Sequence, residues 1–313
     1  MLGYILRRLL ATLPVMLIVA VLVFLMLRLT PGDPAAIIAG DNANSEQVAL
    51  IRNRLGLDEP IFTQFFIWLA NLLRGDFGES FFFKKTVAEL IASRLEPTLA
   101  LSLATIILAV TIAVPLGVLA AYKQGTLIDK VVMGFSVLGF SVPVFVIGYS
   151  LIYLFAIKLN WLPVQGYQRI SDGFGGFLQR LILPALTLSV IYVALIARMT
   201  RTSVLDVMNE DYIRTARAKG QVEIKVLFKH ALKNAAVPIV TVIGLGVALL
   251  IGGVVVTESV FTIPGLGRLT VDAVLARDYP TIQAVILLFS LVYVLINLAV
   301  DLLYTLFDPR IRY

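Results

Sequence analysis

The chain has 313 residues, 59% hydrophobic and only 15% charged, with a net charge of +6 and a mean hydropathy of +0.93; a soluble domain carries about a quarter charged residues. The apolar excess lies in long blocks, which points to a bilayer, and the basic residues are placed as membrane topology requires, so no nucleic-acid partner is expected. There is no cysteine, which excludes disulfides, thiolate nucleophiles and Cys-ligated zinc, and a single histidine, His230, leaves little room for a His-rich metal site or a His-based triad.

A hydrocarbon core is crossed by roughly 20 apolar residues as helix. Leu9 to Leu29 is the first such run, following Arg7 and Arg8, with Arg28 near its outer end, where it can snorkel to the headgroups. A secretory signal has a shorter apolar core, so a retained anchor is expected over 1–30. Pro31-Gly32-Asp33-Pro34 stops that helix by turn chemistry. The region 31–96 is too long for a connector. Phe62, Phe65, Phe66, Leu69 and Leu73 recur at helical spacing, and Thr86 with Glu89 forms a capping box. The first segment reads as a helix packed on the membrane or the other spans, or as a docking surface for an external protein.

Further spans are expected at Thr98 to Tyr122, Val131 to Ile157, Leu181 to Ala197, Ala236 to Thr257 and Thr281 to Leu306. The chain is thus an all-α polytopic protein of six spans: a core over 97–306 and a tail over 307–313. With both termini inside, the inner segments hold 14 basic and 7 acidic residues, the outer ones 11 and 13. The excess of lysine and arginine marks the cytoplasmic side, so both termini are expected there and 31–96 outside.

The basic loop 198–235 carries most of that bias. Asn209 is placed to cap a helix with acidic Glu210 and Asp211 first, basic Arg217 and Lys219 last, and Gly220 as its stop. Tyr212, Ala216 and Lys219 share one face of it, flanked by Thr215 and Ala218; small residues there admit a partner's backbone. A second helix, Glu223 to Ala235, carries Lys225, Lys229 and Lys233 in one stripe beside an apolar face of Ile224, Leu227, Phe228 and Ala231. Such a stripe beside a membrane rests on anionic headgroups or meets a partner. His230 between the faces reads as structural.

In the spans, Gly134, Gly139, Ser141, Pro143 and Gly148 mark the third and Gly244, Gly246, Gly252 and Gly253 the fifth. Small residues in membrane helices serve close packing; the alternative is a moving or path-lining role, with Gly139, Ser141, Pro143, Gly244 and Gly246 as candidates. No span pairs buried charges, which argues against an ion-coupled carrier. Asp301 is one acid inside a span, with Arg310 or another subunit as counter-charge.

The run Asp211-Tyr212-Ile213-Arg214-Thr215-Ala216-Arg217-Ala218-Lys219-Gly220, followed by His230-Ala231-Leu232-Lys233-Asn234-Ala235, resembles the EAA loop of ABC importer permeases. The likeness is greatest to the branch that imports dipeptides, oligopeptides, glutathione and nickel. It extends over nearly the whole chain through Pro31-Gly32-Asp33-Pro34, Leu55-Gly56-Leu57, Gly75-Asp76-Phe77-Gly78, Pro264-Gly265-Leu266-Gly267-Arg268-Leu269 and Arg277-Asp278-Tyr279-Pro280. The general Glu-Ala-Ala…Gly pattern falls on Arg214, Thr215, Ala216 and Gly220, so only the second Ala and the Gly are kept. Its later Ile and Pro fall on His230 and Lys233. These departures are shared by the peptide branch.

The resemblance implies a type I importer permease fold, with Asp211, Tyr212, Thr215, Ala216, Ala218, Lys219 and Gly220 coupling to a cytoplasmic ATPase. It implies as partners a second homologous permease, two ATPase subunits or domains, a periplasmic substrate-binding protein and membrane lipids of the bacterial inner membrane. This chain has no G-x-x-x-x-G-K-[ST], so no cofactor is expected in it, ATP and magnesium belonging to the ATPases. Rival readings are an intramembrane hydrolase, against which stand the lack of G-x-S-x-G and of an intramembrane histidine, and a non-transporting assembly subunit.

Overall fold

The structure is a computed structural model that describes residues 2–29, 33–39, 44–54, 56–80 and 82–307. Pro31, Gly32, Leu55, Arg310 and Arg312 lie outside them. The helices are α1 (Leu2–Leu29), α2 (Pro34–Ala39), α3 (Ser45–Arg54), α4 (Ile61–Leu73), α5 (Val87–Tyr122), α6 (Leu127–Ser141), α7 (Val144–Leu151), α8 (Phe174–Met208), α9 (Asp211–Ala218), α10 (Glu223–Lys225), α11 (Ala236–Val260), α12 (Leu266–Leu275) and α13 (Tyr279–Phe307). The all-α expectation holds apart from one antiparallel pair, β1 (Glu79–Ser80) and β2 (Lys85–Thr86), in register Glu79 to Thr86.

Six spans were expected. Among the described residues four helices are long and apolar enough to cross: α5, α8, α11 and α13; a bent pair makes a fifth if it is one span. Helix α1, 28 residues, has the length for another. Within the expected span Val131 to Ile157 the helix is broken rather than continuous. Helix α6 stops at Ser141, and the next helical segment, Val144–Lys158, leaves at 105°. The break is chemical. Val142 is extended (ψ 124°), as a residue before proline prefers, and Pro143 has no N–H to continue the ladder. The second arm ends in a π-helical stretch, Ile152–Lys158.

The chain divides into two compact units. One comprises 1–96 with 265–295; the other 97–264 with 296–313. In the first, Ala20 and Val23 of α1 pack with Leu287 of α13 and with Trp68 and Leu72 of α4. Phe24 meets the Phe65 ring edge-on at 5.2 Å, and the Arg28 guanidinium lies 3.6 Å over Phe24 while its Nε and terminal nitrogen donate to Gln64 Oε1. The inward face of α4 is therefore Gln64, Phe65, Trp68 and Leu72. Phe62, Phe66 and Leu73, expected to share the Phe65 face, are exposed. Thr86 Oγ1 accepts the Glu89 N–H as the capping box requires, but the helix it opens runs on through Pro97 to Tyr122. At 36 residues and 1.5 Å each, α5 is about 54 Å long, well beyond a hydrocarbon core of roughly 30 Å.

In the second unit α8 is the centre. It packs on α6, α7 and α11, and Leu188, Tyr192, Val193 and Ala197 lie in a core with Leu101 and Ala113 of α5 and Leu250 and Val254 of α11. The predicted span Leu181 to Ala197 is only its middle; α8 continues to Met208 and delivers the chain directly to α9.

Candidate functional site

The 209–235 loop builds a compact helical platform at the ends of α5 and α8. Asn209 does not open α9. It closes α8, donating from Nδ2 to the Leu205 carbonyl, and Glu210, extended at ψ 148°, precedes α9. Gly220 ends α9 as expected: its φ is +73°, its N–H donates to the Arg217 carbonyl, and the Gln221 N–H reaches back to the Ala216 carbonyl. These two bonds satisfy the last carbonyls of the helix through a left-handed residue, a conformation that favours glycine. Beyond the turn, Arg217 holds Glu223 with two hydrogen bonds, at 2.6 and 3.2 Å, so α9 and α10 form a closed hairpin. Arg217 is thus the clasp.

The two sides of α9 are chemically distinct. Ile213 and Ala216 are buried in a cluster with Val118 and Ala121 of α5, Val204 of α8, Val226, Leu227 and Ala231 beyond the turn, and Ile239 of α11. Asp211, Tyr212, Arg214, Thr215, Ala218 and Lys219 face outward. Ala216 must therefore be moved from the contact surface, where it was expected, to the packed one; in isolation a helical wheel shows which residues share a side, not which side is covered. Burial raises the Tyr212 phenol pKa, opposed by a hydrogen bond with Asn234 and reinforced by the Glu210 carboxylate, so the phenol is neutral at physiological pH.

The segment after Lys225 is π-helical over Val226–Leu232. That extra winding rotates the covered face relative to an α-helix. Val226, Leu227 and Ala231 are buried, whereas Ile224 and Phe228, expected with them, are 69% and 52% exposed. His230 Nε2 pairs with Gln221 Oε1 at 2.9 Å, a structural contact, and among the described residues no group of acidic, His or Cys side chains could hold a metal.

Sequence reading missed the ion pair behind the platform. Asp129, 4% exposed, receives Arg201 Nε at 2.5 Å and its terminal nitrogen at 2.7 Å, and also the Gly125 N–H at 2.9 Å. It fastens the start of α6 to the C-terminal extension of α8. The 72-residue separation leaves no local signal. A second omission is Gly117 in α5, where a Cβ would stand 2.6 Å from the Ala197 carbonyl oxygen and 2.5 Å from Thr200 Cβ, so these helices touch backbone to backbone. A third is Glu258, wholly buried in α11 and bonded to Thr98 Oγ1 at 2.6 Å.

The candidate path residues mostly make helix contacts. A Cβ at Gly139 would meet Ala194 Cβ at 2.9 Å, at Gly244 Val300 Cγ2 at 2.1 Å, and at Gly246 the Tyr192 ring at 3.3 Å. Gly246 and Tyr192 also line a small apolar cavity with Ile106, Ala109, Ile196 and Ile243. Ser141 bonds its own helix at the Val137 carbonyl, and Pro143 begins the second arm of the bent pair.

The family described as binding-protein-dependent transport system inner membrane component matches residues 113–313, and its N-terminal companion matches 1–102. The chain is similar, at 58% identity over 99% of both chains, to a probable peptide ABC transporter permease of Sinorhizobium fredii. It is 49% identical, over the whole of both, to a glutathione transport system permease of Salmonella choleraesuis. In fold it resembles an inward-facing form of the MetNI methionine ABC transporter, with TM-score 0.57 and 19% identity over 70% of this chain and 96% of that one. An apolar multi-pass chain with a helical platform at the ends of its spans, matched along its length by these families, belongs to the binding-protein-dependent transport system inner membrane components: it is an ABC importer permease of the inner membrane, not an enzyme.

Proposed function

We propose that α9 is the element through which separate ATPase subunits drive this permease. One observation carries the reading: Ile213 and Ala216 are locked into a single cluster with residues of α5, α8 and α11. A force on the outer face of α9 is therefore delivered to the ends of three spans, because packed interiors transmit displacement. The left-handed cap and the Arg217–Glu223 clasp make α9 stiff enough for that task. Nucleotide and magnesium belong to the ATPases, and none to this chain. Both termini and the 198–235 loop face the cytoplasm, in accord with the lysine and arginine bias. The working complex holds a second related permease and two ATPase subunits or domains, supplied by a periplasmic binding protein. The names of the relatives at 58% and 49% identity favour peptides, glutathione among them, as substrate.

Two measurements test this. In intact spheroplasts an impermeant thiol reagent should label a cysteine at Asn44 and not one at Asn209; equal labelling, or labelling at Asn209 alone, overturns the orientation. Mass measurement of the complex from native membranes should give two different permeases with two ATPase subunits or domains, and uptake in vesicles should be competed by peptides. A homodimer of this chain overturns the two-permease complex, and ATP hydrolysis by this chain alone removes the coupling proposal.

A further inference from the structure

The segment that follows α9 presents a surface that the coupling proposal does not use. Its packed side is complete: Val226, Leu227, Ala231 and Ala235 are buried. Yet it still presents Val222 at 72%, Ile224 at 69% and Phe228 at 52% exposure, beside three exposed lysines, Lys225, Lys229 and Lys233. Glu223, the acidic residue within this stretch, is taken up by Arg217. The surface is therefore cationic and apolar at once, unlike the outer face of α9, where Asp211 offsets Arg214 at 3.2 Å.

Its depth follows from its neighbours. Leu227, Ala231 and Ala235 share a cluster with Val118 and Ala121, in the last turns of α5, and with Ile239, in the first turn of α11. A helix packed against the ends of two spans lies at the boundary of the hydrocarbon, where ammonium groups reach phosphates and large apolar side chains reach the acyl–glycerol layer.

We propose that the Lys225, Lys229 and Lys233 face, with Ile224 and Phe228, is a binding surface for anionic phospholipid headgroups of the inner leaflet. The lysines pair with headgroup phosphates and the two apolar side chains insert beside them. Lipid then holds this segment at the bilayer while α9 remains free to engage its driver. The leaflet, though not the lipid binding itself, rests on the proposed cytoplasmic placement of the loop, which the cysteine labelling decides separately.

The test uses the complete transporter in nanodiscs made either of phosphatidylcholine alone or of phosphatidylcholine with phosphatidylglycerol. Phosphatidylglycerol retained by the complex is read by native mass spectrometry, and ATP hydrolysis stimulated by loaded binding protein is read in parallel. Each lysine near an anionic surface contributes roughly a fivefold factor in affinity. The triple variant Lys225→Gln/Lys229→Gln/Lys233→Gln should therefore bind phosphatidylglycerol up to roughly a hundredfold more weakly, and its ATPase stimulation should lose its dependence on that lipid. The triple Lys→Arg variant should keep both. Equal lipid retention and equal lipid dependence in the wild type and the triple Gln variant overturn the proposal. Loss of the ATPase subunits from the triple Gln complex in both lipids also overturns it, and assigns the surface to the ATPase.

Discussion

Gly220→Val separates backbone strain from crowding at the end of α9. Gly220 sits at φ +73°, and a Cβ built there meets nothing within 4 Å, so a side chain has room and the whole penalty is conformational. A left-handed β-branched residue costs roughly 1–2 kcal/mol, which lowers the population of the capped turn by about 5- to 30-fold at 1.4 kcal/mol per factor of ten. Losing the turn frees the carbonyls of Ala216 and Arg217 and lets α9 fray where the Arg217–Glu223 clasp begins. The spans do not depend on that turn, so the protein should insert and assemble at normal levels. In proteoliposomes uptake should fall steeply, and ATP hydrolysis should lose its response to loaded binding protein. Asparagine tolerates the left-handed region far better, so uptake should follow the order Gly, Asn, Ala, Val at position 220. Normal transport by Gly220→Val, or equal damage from Asn and Val, would refute the reasoning.

Three further outcomes follow from the site's geometry. Ala218→Trp, on the exposed face, should release the ATPase subunits from an otherwise intact permease pair, while Ala216→Trp, in the packed cluster, should lower thermal stability by overpacking of about 1–3 kcal/mol; co-purification and thermal denaturation in detergent distinguish them. Arg201→Gln leaves Asp129 without its partner at a part-buried site, between the worth of a surface pair and the 3–5 kcal/mol of a buried one, or about 2 kcal/mol, and adding Asp129→Asn should restore part of the lost melting temperature. Gly117→Ala should push α5 off α8, because the obstruction is the Ala197 backbone, whereas Gly134→Ala, where a Cβ meets nothing within 4 Å, should behave as wild type in the same denaturation assay.

The sequence by itself determined what depends on local chemistry. Runs of apolar residues make membrane helices whatever surrounds them, since an unpaired backbone group in hydrocarbon is too costly. The stop at Gly220 needed only the residue type that tolerates positive φ. The motifs of the 211–235 loop and of the segments at 31–78 and 264–280 were enough to place the chain in its family. What depends on which surface meets which was not legible. Ala216 and Tyr212 lie on one side of a helical wheel, but α5 and α8 cover Ala216 and leave Tyr212 outside. The π-helical stretch turned Phe228 outward and Val226 inward, against the α-helical spacing from which the apolar face was read. Pro143 was noted among small residues, but its 105° break was not, because a proline in a membrane helix gives a kink, a break or nothing, according to what re-satisfies the freed carbonyls. Asp129 with Arg201, Thr98 with Glu258 and Ser80 with Asp278 are separated by 72, 160 and 198 residues. Only the folded chain brings such groups within reach, and a donor from a distant segment meets each of these buried carboxylates.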